Sequence, residues 1–267
     1  IGPDAESAQW IQAAAQAFKS VEIPENLTHD WIRVEDQQRI GSCQGCDLTS
    51  LGEILHYYNT AGEVVQLSKL HAYIGTQHID EKAGAQGVYV GADTGSTIGG
   101  GLQYAMNGFV DEPNCPYRGD AYPSGNECQR ILSIKQDPRF AVLSGFQVES
   151  YQHGLQCLAG GMVLTVGTIW DFLIDADWIV RQWAPPQRGQ GHARVIAEIR
   201  NRRLTEINSW SKNWGRNGRF SWEEAAFNQM LRHPWTVCLA VTGQAKPKPR
   251  RVDFAARLLG KPRSLSL

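Results

Sequence analysis

Asp36-Gln37-Gln38-Arg39-Ile40-Gly41-Ser42-Cys43 leads from a polar stretch into an apolar pattern. From Cys43 to Tyr58, the residues Leu48, Leu51, Leu55 and Tyr58 recur three and four positions apart. That spacing predicts a helix buried along one face, with Gly41-Ser42 before it as turn and cap. A Cys in the first turn of a helix feels the positive end of the helix dipole, which favours thiolate over thiol. The thiolate is the nucleophilic form. Gln37 can bring its side-chain amide to the oxygen of an attacked carbonyl, and the Cys43 backbone N–H can supply a second donor.

Two later segments complete this chemistry. In Gly189-Gln190-Gly191-His192-Ala193-Arg194-Val195-Ile196 a His passes from a glycine-rich loop into a strand. In Ile207-Asn208-Ser209-Trp210-Ser211-Lys212-Asn213-Trp214-Gly215-Arg216-Asn217-Gly218 an Asn leaves a strand ahead of two Trp. An Asn oxygen accepting from the second imidazole N–H fixes the ring, and a stacked indole shields that bond from water. Taken singly, each feature has an ordinary structural reading: a packed thiol, a satisfied polar His, a turn with a core Trp. Their occurrence together with Gln37 favours catalysis.

The three segments resemble the papain-like cysteine peptidases (C1-type). The family's Gln-Gly-x-x-Gly-Ser-Cys pattern matches Gln37 to Cys43, with Gln38 in place of the first Gly. Gly-His-Ala matches Gly191-His192-Ala193. Asn-Ser-Trp-Gly-x-x-Trp-Gly-x-Asn-Gly matches Asn208 to Gly218, with Ser211 in place of the first Gly. Leu67-Ser68, the glycine-rich Asp93–Leu102 and Pro116-Tyr117 are similar to the bacterial or phage-like branch. The likeness runs from about residue 30 to 241. The family often has two Cys three apart, the second catalytic, which would point to Cys46. The oxyanion Gln, however, lies six residues before the nucleophile. Six before Cys43 is Gln37; six before Cys46 is Ile40, which cannot donate.

The resemblance implies Cys43 as nucleophile, His192 as base, Asn208 as its orienting partner and Gln37 as oxyanion donor. It also implies Gly95, Ser96, Gly191 and Trp210 beside the substrate. The reaction expected is peptide-bond hydrolysis through a thioester. Departures are Gln44, where the family usually has an aromatic residue, Ser211, and the missing disulfide partner just before the nucleophile. Arg194 follows His192 closely, though strand alternation could turn it away. Cys115 and Cys128 flank a turn-rich loop and could bridge; Cys46, Cys157 and Cys238 read as buried thiols. Gln44 keeps open a binding or structural module with weak or no catalysis. The same triad also allows amide hydrolysis or acyl transfer on a non-peptidic or cell-wall substrate.

The rest of the chain fits one large domain or two lobes. It has 267 residues, 42% hydrophobic and 20% charged, ordinary for a soluble enzyme. After about residue 140 the texture changes. Ala141–Leu143, Met162–Thr168, Arg194–Arg200, Leu204–Ile207 and Val237–Val241 look like strands rich in β-branched residues. Helices first and strands later predict an α+β fold rather than an alternating parallel sheet. The resemblance gives this a form: a helical lobe over about 40–138, an antiparallel β-barrel-like lobe over about 139–245, and the cleft between them. The catalytic domain is expected over 31–245, after an N-terminal extension (1–30) with a helix at 5–19.

No apolar run reaches the roughly 18 residues a membrane span needs, and no signal peptide is visible. The chain begins at Ile1, so processing from a longer, secreted or virion-associated form is one expectation. Net charge is −1, yet the segment 246–267 holds seven Lys/Arg against one Asp. It reads first as a solvated end and second as a docking element for a larger assembly; nucleic acid is not an expected partner. Partners implied by the resemblance are a polypeptide substrate and a proteinaceous inhibitor or pro-segment. No cofactor or metal is expected. Cys43-Gln-Gly-Cys46 lacks the second pair a zinc site needs, and Gly91–Gly101 lacks a phosphate-binding pattern.

Overall fold

The computed structural model of the chain describes residues 21–169, 172–183 and 191–243, without the side chain of Phe172. The helix expected at 5–19 and the basic tail lie outside the described residues. The helix predicted from the Leu spacing is α1 (Cys43–Asn59). It is buried all round from Gln44 to His56 rather than along one face. It passes between two further helices, α2 (Lys69–Lys82) and α3 (Ile98–Ala105), and the later strands. Several of its polar residues find partners inside. Thr49 donates to the Gly45 carbonyl at 3.0 Å, and Glu53 accepts the Leu67 N–H at 2.9 Å. Ser42 makes no side-chain cap bond; its hydroxyl pairs with the Tyr117 hydroxyl at 2.8 Å. Ser68 does cap its helix, accepting the His71 N–H at 3.1 Å.

A short helix, α4 (Gly125–Leu132), packs on α2. Cys115 and Cys128 sit in the small apolar cluster there with Leu70, Ile74, Val110 and Ile131. Neither forms a disulfide; all six cysteines are free thiols.

The remaining elements are β1 (Val142–Gln147), α5 (Tyr151–Ala159), β2 (Val163–Ile169), β3 (Phe172–Ile174) and β4 (Ile179–Trp183). Then come β5 (Gly191–Arg200), β6 (Arg203–Ile207), β7 (Arg219–Trp222), α6 (Glu224–Leu231) and β8 (Val237–Gly243). They build one eight-stranded sheet in the order β1-β8-β2-β5-β6-β7-β4-β3. Neighbours run antiparallel except β4 and β7, which run parallel. The sheet is open where a barrel-like lobe was expected, because β1 and β3 are its two edges and no ladder joins them among the described residues. Helices lead and the sheet follows, so the α+β architecture holds.

Strand alternation explains why β5 is buried on both faces. Val195 and Ala197 join Leu48, Leu51 and Ile54 of α1 in one core. Ile196 and Ile199 join Trp222 and Phe227 in another, under α5 and α6. The odd spacing of Ile196 and Ile199 follows from a register shift between Ile196 and Glu198. Each such buried Val, Leu or Ile side chain contributes about 1.5–3 kcal/mol relative to exposure. The central strand is thereby held rigidly, and His192 stands at its N-terminal end.

Candidate active site

Two elements meet at the site: the start of α1 and the start of β5. The pairing of β2 with β5 sets Gly167 opposite Ala193 and Thr168 opposite His192. The Cys43 sulfur accepts the Ala193 backbone N–H at 3.5 Å, so the thiol and the imidazole belong to one constellation. His192 Nε2 lies 2.8 Å from Asn208 Oδ1. The Trp210 indole stacks on the imidazole, centroids 4.9 Å apart and planes 26° apart. Trp214 meets Trp210 edge-on at 5.2 Å, fixing the indole in turn. Asn208 stands behind the ring and also accepts the Ser209 N–H at 2.8 Å.

The turn before Cys43 is braced from several sides. Gln37 Oε1 accepts from the Ser209 hydroxyl at 2.7 Å, and Gln37 Nε2 donates to the Ile40 carbonyl at 3.2 Å. The Tyr117 hydroxyl donates to the Gln37 carbonyl at 2.6 Å. Gln38 and Ser211 stand where the family pattern has Gly, and both are left-handed, at φ 52° and 65°. Local bonds hold them there. The Gln38 N–H reaches Asp36 Oδ1 at 2.9 Å, and Ser211 Oγ accepts the Asn213 N–H at 3.2 Å.

An open cleft of about 1230 Å³ runs past these residues. Its lining includes Gln37, Cys43, Gly95, Ser96, Gly191, His192 and Trp210. Gly95, at φ +76°, turns its backbone inward: its N–H goes to the Tyr73 hydroxyl at 2.9 Å and its carbonyl takes the Gln77 amide at 3.1 Å. Ser96 carries the cleft edge, with an Oγ that has no hydrogen-bond partner among the described residues. Cys46 is only 1% exposed, one turn deeper, and away from the cleft. Trp235, 63% exposed on the opposite rim, was not singled out from sequence; no motif marks it. Nor were the bracing residues Tyr73 and Ser209, whose roles depend on distant chain segments.

Electrostatics at the site differ from the helix-dipole expectation. Burial raises the Cys43 thiol, against the N–H groups of Ala193 and Gln44. Burial and then the Arg194 charge lower His192 to about 3, against its bond to Asn208. Each group alone favours its neutral form; a thiolate and an imidazolium formed together offset each other's charge. Arg194 is fully buried and paired with Glu206, Nε to Oε2 at 2.5 Å, and Glu206 also accepts Trp222 Nε1 at 2.8 Å.

Beneath Cys43 lies a polar cluster. Gln44 is buried against α3, where a Cβ on Gly101 would come within 2.4 Å of its amide nitrogen. That amide donates to Asp47 at 3.4 Å, and Thr165 donates to the same carboxyl oxygen at 2.5 Å. Burial raises Asp47 from 3.8 to about 8, with Thr165 and Arg194 opposing. The unfolded chain loses this proton near 3.8, whereas the folded protein keeps it to about 8. The folded state therefore loses stability as pH rises from about 4 to about 8, and the loss is constant above that. In urea unfolding, the stability of Asp47→Asn relative to the parent should climb between pH 5 and pH 8 and then level off. A flat difference would remove Asp47 as the titrating group.

No family model matches the chain, and no curated protein sequence matches it. Solved structures do. Xylellain, a cysteine protease from Xylella fastidiosa, superposes with TM-score 0.62 at 18% identity over 88% of this chain and 90% of its own. The Amb a 11 cysteine protease, a ragweed pollen allergen solved in its proform, gives 0.58 at 16% identity over 85% and 68%. The Carica candamarcensis cysteine protease CMS1MS2, in complex with E-64, gives 0.56 at 14% identity over 83% and 100%. At such identities the likeness is one of fold: the chain has the papain-like fold. It does not single out the bacterial-type branch.

Proposed function

We propose that the chain is a cysteine endopeptidase. Cys43 is its nucleophile, His192 its base, Asn208 the partner that orients the base, and Gln37 with the Cys43 N–H its oxyanion donors. The observation that carries this reading is the His192 ring. Its Nε2 is fixed on Asn208 under Trp210, while the next residue's N–H rests on the Cys43 sulfur. Nδ1, the other ring nitrogen, exchanges the proton with the thiol. The three solved structures compared above, all cysteine proteases, support the same reading.

The steps follow from these positions. His192 takes the Cys43 proton as the sulfur attacks a peptide carbonyl. The carbonyl oxygen becomes an oxyanion between Gln37 Nε2 and the Cys43 N–H, which as the first helical N–H has no intrahelical acceptor. The imidazolium gives its proton to the departing amine. Water, deprotonated by His192, then cleaves the thioester and regenerates the thiol. The substrate is a polypeptide lying past Ser96 and Gly191, and a pro-segment or proteinaceous inhibitor would occupy the same cleft.

Labelling with a thiol-reactive epoxide tests the reading, followed by a peptide-library cleavage profile. One cysteine, Cys43, should react fast, and the labelled protein should lose all cleavage. Slow labelling spread over several cysteines, with no peptide cleaved, would refute it. A binding module would give that result.

A further inference from the structure

Gly41 lies two residues before the nucleophile, at the end of the turn that carries Gln37. Its N–H donates to both oxygens of the Asp93 carboxylate, at 3.0 and 2.9 Å. The Tyr73 hydroxyl donates to Asp93 Oδ1 at 2.6 Å, and Tyr73 is fully buried in α2. That hydroxyl in turn accepts the Gly95 N–H at 2.9 Å and the Gln77 amide at 3.2 Å. A continuous chain of bonds therefore runs from the cleft wall at Gly95 through Tyr73 and Asp93 to Gly41.

Other braces act along the turn: Ser209 on the Gln37 amide and backbone, Gly119 on the Arg39 N–H, and Tyr117 on the Gln37 carbonyl and the Ser42 hydroxyl. Asp93 is the brace on the Gly41 N–H, two residues before Cys43. No disulfide ties this segment to the cleft wall, since all six cysteines are free. A bond from N–H to an ionised carboxylate is stronger than a neutral one. Asp93 is exposed at the cleft, with Oδ1 shared by Gly41 and Tyr73 and Oδ2 on Gly41, so a loss in kcat rather than in KM is what separates a clamp from a substrate contact.

We propose that Asp93 is a positioning residue for the oxyanion site: held by Tyr73, it clamps Gly41 and so sets the Gln37 amide at its working distance from the Cys43 N–H. The inference rests on the peptidase reading above. Asp93→Ala in the full chain should lower kcat by about tenfold, the scale expected when a donor is displaced rather than deleted, with KM within about twofold. The affinity of a peptidyl aldehyde, whose adduct places an oxygen between the two donors, should fall by the same factor. Alkylation of Cys43 by iodoacetamide, which forms no oxyanion, should stay within about twofold. Asp93→Asn retains one acceptor and should recover part of the loss. The proposal is overturned if alkylation falls in step with kcat, if KM alone rises, or if kcat and aldehyde affinity are unchanged. Amide hydrogen exchange at Gly41 decides the clamp independently of turnover. Faster exchange in Asp93→Ala supports it and equal exchange overturns it, even if the parent proves to cleave no peptide and the peptidase reading itself falls.

Discussion

Cys43→Ala is expected to abolish peptide hydrolysis while leaving the fold intact, and Cys46→Ala to keep hydrolysis while lowering stability by about 1 kcal/mol. Removing a nucleophile costs on the order of 10⁴-fold or more in turnover, because no other group can form the covalent intermediate. The nearest thiol, Cys46, cannot substitute. It is one turn deeper in α1 and 1% exposed, and burial holds its proton well above the ordinary thiol range. In packing terms the roles are exchanged. Cys43 is half-buried at the cleft floor, and trimming it to Ala removes one sulfur that burial already penalises when charged. Cys46 is a small hydrophobe in a closed interior, so its truncation leaves a void costing about 1 kcal/mol. Initial rates and urea unfolding on the two variants separate these outcomes. Residual turnover in Cys43→Ala above about 1% of the parent would sink the assignment of the nucleophile.

The parts of this protein legible in its sequence are those where chemistry needs particular residues close together along the chain. His192 and Asn208 sit in short segments whose residues touch one another: Trp210 on the ring, Ser209 on the Asn oxygen. The start of α1 was legible for the same reason, since turn, cysteine and Leu spacing are contiguous. Its burial on all sides was not, because Glu53, Asp47 and Thr49 read as polar until their interior partners are known. α2 escaped notice on similar grounds. Lys69, His71, Gln77 and Asp80 are all buried, so no apolar stripe announces the helix. In α3 the run Ile98-Gly-Gly-Gly101 argues against a helix by propensity, yet the missing side chains let Gln44 and Asp80 pack against it. β3, β4 and β7 are three to five residues long, too short for alternation to stand out. The Asp93–Gly41 bond joins residues 52 apart, and nothing local to either marks it.

Gln37→Ala carries the second large effect and tests the oxyanion site directly. The amide's orientation is set by its neighbours. Ser209 Oγ donates to Oε1, so the oxygen end points at the β-sheet side, and Nε2 must face Ile40 and the cleft. One Nε2 hydrogen goes to the Ile40 carbonyl, which leaves one for a developing oxyanion. Loss of a single oxyanion donor typically costs about 10²–10³-fold, or ~2.7–4 kcal/mol of transition-state stabilisation. The loss should appear in kcat, since the ground-state carbonyl makes little use of that hydrogen. Gln37→Glu should be no better than Ala, because an ionised carboxylate repels the oxyanion it replaces a donor for. Ser209→Ala provides the contrast. Without the hydroxyl the amide is free to turn its oxygen toward the cleft, so a smaller loss, below that of Gln37→Ala, is expected. Epoxide labelling of Cys43 should persist in all three variants, because alkylation develops no charge on a carbonyl oxygen. A Gln37→Ala enzyme within twofold of the parent would mean that the Cys43 N–H and other donors carry the oxyanion alone, and the turn that Asp93 and Ser209 brace would then have no catalytic purpose.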